Sequence, residues 1–213
     1  MFEKTYKKIY PIEKLLDVHP SWQSRCKLIE NISHKYNFLA KTSFYIENNN
    51  LVYNQKHIRK THLGTLSISE KQALLQTFSN NLDLLSDVNF VHGDVCRKNI
   101  LFDGKQLILV DLEPSLKQVK DGVDQLMCTL PYVSIRDLKN KQLSMESDKI
   151  GFYFFLKYTL SSNFKITHKH MVSFKRTNQY ENILPVEENK FLEMSFAGIF
   201  NYVMMGNQDR LLQ

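Results

Sequence analysis

Two short stretches carry the residues best suited to chemistry. The first is Phe90-Val91-His92-Gly93-Asp94-Val95-Cys96-Arg97-Lys98-Asn99-Ile100-Leu101, and the second is Leu109-Val110-Asp111-Leu112-Glu113. Hard divalent cations such as magnesium bind carboxylate and amide oxygens. Transfer of a phosphoryl group from ATP needs such a cation on the phosphate oxygens, and a group that orients an acceptor hydroxyl and takes its proton. Asp94-x-x-x-x-Asn99 places a carboxylate and an amide at the two ends of a short loop, and Asp111 adds a second carboxylate at the end of an apolar strand. Asp103-Gly104 is a favoured two-residue turn. It folds Leu107-Ile108-Leu109-Val110 back on Ile100-Leu101-Phe102 and returns Asp111 towards the loop.

The pattern His-Gly-Asp-x-x-x-x-Asn, followed by a hairpin and hydrophobic-Asp-Leu-Glu, resembles the aminoglycoside phosphotransferase and choline kinase superfamily. Protein kinases carry the related His-Arg-Asp-x-x-x-x-Asn and Asp-Phe-Gly. Gly93 and Glu113 favour the small-molecule branch. The resemblance covers residues 90–113 by motif and the rest by order of elements. It implies an α+β, protein kinase-like, two-lobed fold, with a reduced N-terminal lobe at 1–58, a mostly helical catalytic lobe at 59–213, and ATP held between them. It implies Asp94 as catalytic base, Asn99 and Asp111 as magnesium ligands, and His92 as a buttress of the loop. ATP and Mg2+ are then the cofactors, and the acceptor is a hydroxyl of a small molecule, glycan or protein. Without the resemblance, Asp94 and Asn99 are also residues that cap turns.

The resemblance further implies a strand lysine that grips the phosphates, held by a glutamate on the next helix. Lys7 and Lys8 compete for the first role, since alternation lets only one face inward. Glu30, the one acid of the helix at 21–35, is the expected partner. Gln55 and His57, in the linker Gln55-Lys56-His57-Ile58, are expected to bring backbone groups to adenine. One departure stands out: six residues precede Lys7 and the first glycine is Gly64, so the glycine-rich hairpin that covers the phosphates in kinases has no counterpart before the lysine. This admits a second reading, a weak or inactive pseudokinase acting as an interaction module.

The elements that must position these groups read as follows. Residues 2–10 alternate as a strand ending at Pro11. Pro20-Ser21-Trp22 opens a helix over 21–35, with Trp22, Cys26, Ile29 and Ser33 on one face. Strands at Thr42–Glu47 and Leu51–Gln55 flank Asn48-Asn49-Asn50, and asparagine tolerates left-handed angles. Ser69-Glu70-Lys71-Gln72 has the capping-box form, followed by Leu74, Leu75, Phe78, Leu82 and Leu85 on one helical face. Asp148–Leu160 reads as a buried apolar segment with Asp148 as its N-cap, and Phe191–Met205 as a further helix.

Bulk properties narrow the classes. The chain has 213 residues, 43% hydrophobic and 23% charged, enough for a packed core and unlike a disordered chain. A net charge of +6 suits an anionic partner. No block of five like charges exists, so nucleic acid is an unfavoured partner. Cys26, Cys96 and Cys128 form no Cys-x-x-Cys pair, which points away from a disulfide scaffold or zinc knuckle and towards the cytoplasm. The longest apolar run, near Gly151–Leu156, is too short for a membrane span. His168 and His170 could pair on a metal but lack a third ligand.

Overall fold

In the computed structural model, which describes residues 4–15, 21–113, 118–120, 123–125, 132–140, 142–161 and 192–211, the alternating N-terminal residues do form a strand. This strand, β1 (Thr5–Pro11), joins β2 (Thr42–Glu47) and β3 (Asn50–Lys56) in an antiparallel sheet of order β1-β3-β2. Asn48 and Asn49 sit at φ +48° and +60°, the left-handed pair that lets β2 turn tightly into β3. Helix α1 (Trp22–Lys35) begins at Ser21, whose side chain accepts the Ser24 N–H. Trp22 and Cys26 of α1 pack with Tyr10, Leu15, Phe44, Leu51 and Tyr53 beneath the sheet.

The hairpin β4 (Ile100–Phe102) and β5 (Leu107–Leu109) belongs to the same compact unit, which comprises residues 1–62 and 97–128. The hairpin is tied in by the Ala40 N–H to Leu109 O (3.0 Å) and the Leu109 N–H to Phe38 O (2.8 Å). The two-residue Asp-Gly turn is replaced by a four-residue loop, since Phe102 pairs with Leu107. The Asp103 carboxylate accepts the Lys105 and Gln106 N–H groups at 2.8 and 2.9 Å and stabilises that longer loop. A small hairpin of β6 (Gln118–Lys120) and β7 (Val123–Gln125) completes the described strands.

The second unit, residues 63–96 and 129–213, is helical in its described part. Helix α2 (Ile68–Asp87) starts two residues before the expected box: Ser67 is the N-cap, and Ser67 and Glu70 cap each other reciprocally. Helix α3 (Ile135–Asn140) precedes α4 (Met145–Leu160) and α5 (Phe196–Leu211). The last of these lies a turn later than the pattern at 191–205 suggested. Its first N–H groups, Phe196 and Ala197, donate to the Asp83 carboxylate of α2 at 2.7 and 3.1 Å. Phe78, Phe152, Phe155 and Phe196 stack at 5.5–6.3 Å between centroids and form the aromatic core of this unit. Among the described residues no helix is long and apolar enough to cross a membrane. Cys26 and Cys96 are buried and in no disulfide among the described residues, and burial pushes the Cys26 thiol up to about 12. Cys128, His168 and His170 lie outside the described residues.

Candidate active site

Strand alternation decides between the two lysines. In β1, Lys8 and Tyr10 turn to the inner face, opposite Tyr53 and Leu51 of β3. Lys7 points the other way, exposed, with its Nζ donating to Tyr45 OH at 3.0 Å. Lys8 Nζ lies 2.8 Å from Asp111 Oδ1 and also pairs with the Glu113 carboxylate, which Tyr10 OH contacts at 3.1 Å. Burial lowers the Lys8 pKa, but Glu113 and Asp111 more than offset this and hold it above its ordinary value. Burial, and then the Asp111 charge, pushes the Glu113 carboxyl upward, opposed by Lys8.

The β4–β5 hairpin sets Asn99 and Asp111. The Val110 N–H donates to Asn99 O at 2.9 Å, so Asn99 stands opposite Val110 and Asp111 follows at the same end of the hairpin. Asp111 adopts φ +63°, a left-handed conformation that a non-glycine residue holds only when its surroundings insist. Gln55 insists: its Oε1 accepts the Asp111 N–H at 2.7 Å and the Tyr53 hydroxyl, while Tyr53 OH accepts the Leu112 N–H at 3.3 Å. Gln55 is thus a buried side-chain support for Asp111. His57 is exposed, and its backbone N–H donates to Lys4 O at 2.9 Å. The expected pairing of Glu30 with the strand lysine is also replaced. The Glu30 Oε1 accepts the Phe44 N–H at 2.6 Å and ties α1 to β2.

In the second unit, the segment His92-Gly93-Asp94 is held from behind by α4. The His92 and Gly93 N–H groups each donate to one Asp148 oxygen at 2.7 Å. The Asp94 N–H donates to His92 Nδ1 at 3.1 Å, so the buried His92 ring braces the backbone that carries Asp94. Gly93 sits at φ +88°, where a Cβ would meet Leu143 Cδ1 at 2.3 Å. Three residues after Asp148, Gly151 lets the loop approach: a Cβ there would lie 2.0 Å from Val95 O. Asp148 is therefore an interior residue of α4, whose N-cap is Ser144. Burial, opposed by the two backbone donors and aided by Asp137 and Asp94, raises its carboxyl to about 7.

Neither a family model nor a curated protein matches the chain. Among solved structures, the kinase PK-1 of Cydia pomonella granulovirus is similar at a TM-score of 0.61 and 15% identity, over 94% of this chain and 81% of that one. The fold is kinase-like.

Asn99 and Asp111 stand at the same end of the β4–β5 hairpin. Both offer hard oxygens of the kind magnesium takes, and magnesium commonly uses one or two carboxylates with the remainder supplied by phosphates and water. Among the described residues no group of three or more His, Cys, Asp and Glu could form a cage of protein ligands alone. Sequence reasoning missed Asp148 and Gly151 as supports of the loop. The available signal was an acid and a glycine one turn apart in an otherwise apolar helix, a combination that costs stability unless something is packed against it.

Proposed function

We propose that the chain is a phosphotransferase that moves the γ-phosphoryl group of ATP to a hydroxyl, with a small molecule or glycan as the first-choice acceptor and a protein side chain as the other. The observation that carries the reading is the pairing of Lys8 with Asp111, which joins a strand lysine to the carboxylate of hydrophobic-Asp-Leu-Glu. The Asp94-x-x-x-x-Asn99 spacing and the kinase-like fold support it.

In this mechanism Asp94 accepts the proton of the acceptor hydroxyl as its oxygen bonds to the γ-phosphorus, and the bond to the bridging β–γ oxygen breaks. ADP and a phosphate ester are the products. Asn99 and Asp111 would hold magnesium, whose charge neutralises the phosphate oxygens. Lys8 donates to the phosphates, and His92 and Asp148 keep the backbone of the loop in place. His-Gly-Asp and Glu113 favour the aminoglycoside phosphotransferase and choline kinase branch over the protein-kinase branch. Calorimetric titration with ATP tests the reading. Binding is expected with magnesium and lost without it, and lost in Asp111→Ala. Binding that ignores both metal and Asp111 contradicts it.

A second reading rests on a specific feature: β1, which bears Lys8, is an edge strand of its sheet. An exposed strand edge can take a strand from a partner, which suits a pseudokinase acting as an interaction module. Nucleotide binding without turnover favours this reading.

A further inference from the structure

A kinase lysine works only if something holds its ammonium still without neutralising it. We infer that Glu113 is the residue that positions Lys8 for the phosphates, an assignment that rests on the phosphotransferase reading above. Two carboxylates meet Lys8, but they differ in accessibility: the Asp111 side chain is 30% exposed and that of Glu113 is 3% exposed. Asp111 can therefore turn to a metal–nucleotide complex, while Glu113 stays where it is. The usual candidate, a helix glutamate, is committed elsewhere, because Glu30 accepts the Phe44 N–H.

Glu113 is itself oriented. Its Oε1 takes both the Lys8 ammonium and the Tyr10 hydroxyl, and these two donors stand two residues apart on the inner face of β1. Its Oε2 is buried with no hydrogen-bond partner. A buried carboxylate with an unsatisfied oxygen is costly, so its place there depends on the Lys8 charge. The ammonium has three donors; Glu113 and Asp111 occupy two, and the third is left to point at a phosphate oxygen. Glu113 thus acts through Lys8 and is a positioning residue.

The test reads Lys8 in two ways. First, the nucleotide-free protein is treated with an amine-acylating reagent and labelling is mapped by mass spectrometry. Lys8 should react about tenfold faster in Glu113→Gln than in wild type, because the carboxylate that holds and shields its ammonium is gone, with Lys7 labelling unchanged. Equal Lys8 labelling in the two proteins overturns the assignment, as does loss of protection in Glu30→Gln instead. Glu113→Asp keeps the charge and should retain most of the protection, and it serves if the amide variant does not fold. Second, Glu113→Gln and Lys8→Ala should each raise the KM for ATP about tenfold or more, and the double variant should be no worse than the poorer single one, as coupled residues behave. Additive losses overturn the positioning role. If labelling behaves as expected but wild type binds no ATP, the phosphotransferase reading fails while the Lys8–Glu113 contact stands, and the two failures are told apart.

Discussion

Lys8 Nζ and Asp111 Oδ1 meet at 2.8 Å although 103 residues separate them along the chain. That contact joins β1 to the segment just beyond β5, and with Glu113 it encloses a cation between two carboxylates. Lys7, its neighbour in sequence, faces outward to Tyr45. Lys8→Ala should therefore bind ATP at least tenfold more weakly than Lys7→Ala. It should also lose about 1–3 kcal/mol of stability, because a buried carboxylate, Glu113, and a partly buried one, Asp111, are left without their cation. Lys7→Ala should stay within about 0.5 kcal/mol of wild type. Calorimetry and denaturant unfolding of the pair of variants check both effects.

Gly151 permits α4 to touch the loop backbone at Val95 O. A methyl group there cannot be absorbed by a side-chain rotation, since the opposing atom is a main-chain oxygen. Gly151→Ala should lower the unfolding free energy by about 2–3 kcal/mol, seen as a lower denaturation midpoint with an unchanged m-value. It should also reduce turnover, because the displaced segment carries Asp94.

Asp148 gives a pH signature. Its carboxyl is raised from 3.8 to about 7 by burial, with Asp137 and Asp94 adding to the shift and the His92 and Gly93 N–H groups opposing it. A carboxyl with a raised folded pKa binds more protons folded than unfolded in that window. Its contribution to stability is present below about pH 4 and is lost as pH rises through about 7. Unfolding curves across that range should show this decline in wild type and not in Asp148→Asn. That variant should also be about 1–3 kcal/mol less stable at low pH, because the amide nitrogen faces a backbone donor.

Ser67 and Glu70 cap α2 reciprocally, with the Ser67 N–H donating to Glu70 Oε2 at 2.8 Å and the Glu70 N–H to Ser67 Oγ at 3.3 Å. Ser67→Ala should cost about 1 kcal/mol in chemical unfolding, and Ser69→Ala less.

Much of the first unit was legible because its signals are local. Asn48-Asn49 needs left-handed angles and obtains them, and the spacing of Trp22, Cys26, Ile29 and Ser33 marks α1. The pattern of Asp94, Asn99 and Asp111 was readable because its residues lie close in sequence. Other features depend on distant partners. Period-2 alternation separates Lys7 from Lys8 but cannot say which face is inner until Asp111 and Glu113 arrive from more than a hundred residues along the chain. Glu30 is the one acid of its helix, yet its carboxylate accepts the Phe44 N–H, a partner with no signature in the sequence. Ser69-Glu70-Lys71-Gln72 and Ser67-Ile68-Ser69-Glu70 both satisfy the capping pattern, and only the position of the helix start separates them. Asp148 reads as a cap in an apolar segment because its ligands, two backbone N–H groups, have no sequence signature.

The most direct test of the central claim is magnesium-dependent ATP hydrolysis or self-labelling from γ-labelled ATP, measured on wild type beside Asp94→Ala. The account predicts slow turnover by wild type and a loss of about a hundredfold or more in the variant, the scale of a removed general base. Equal turnover by the two proteins, or none by wild type with magnesium or manganese, would contradict it.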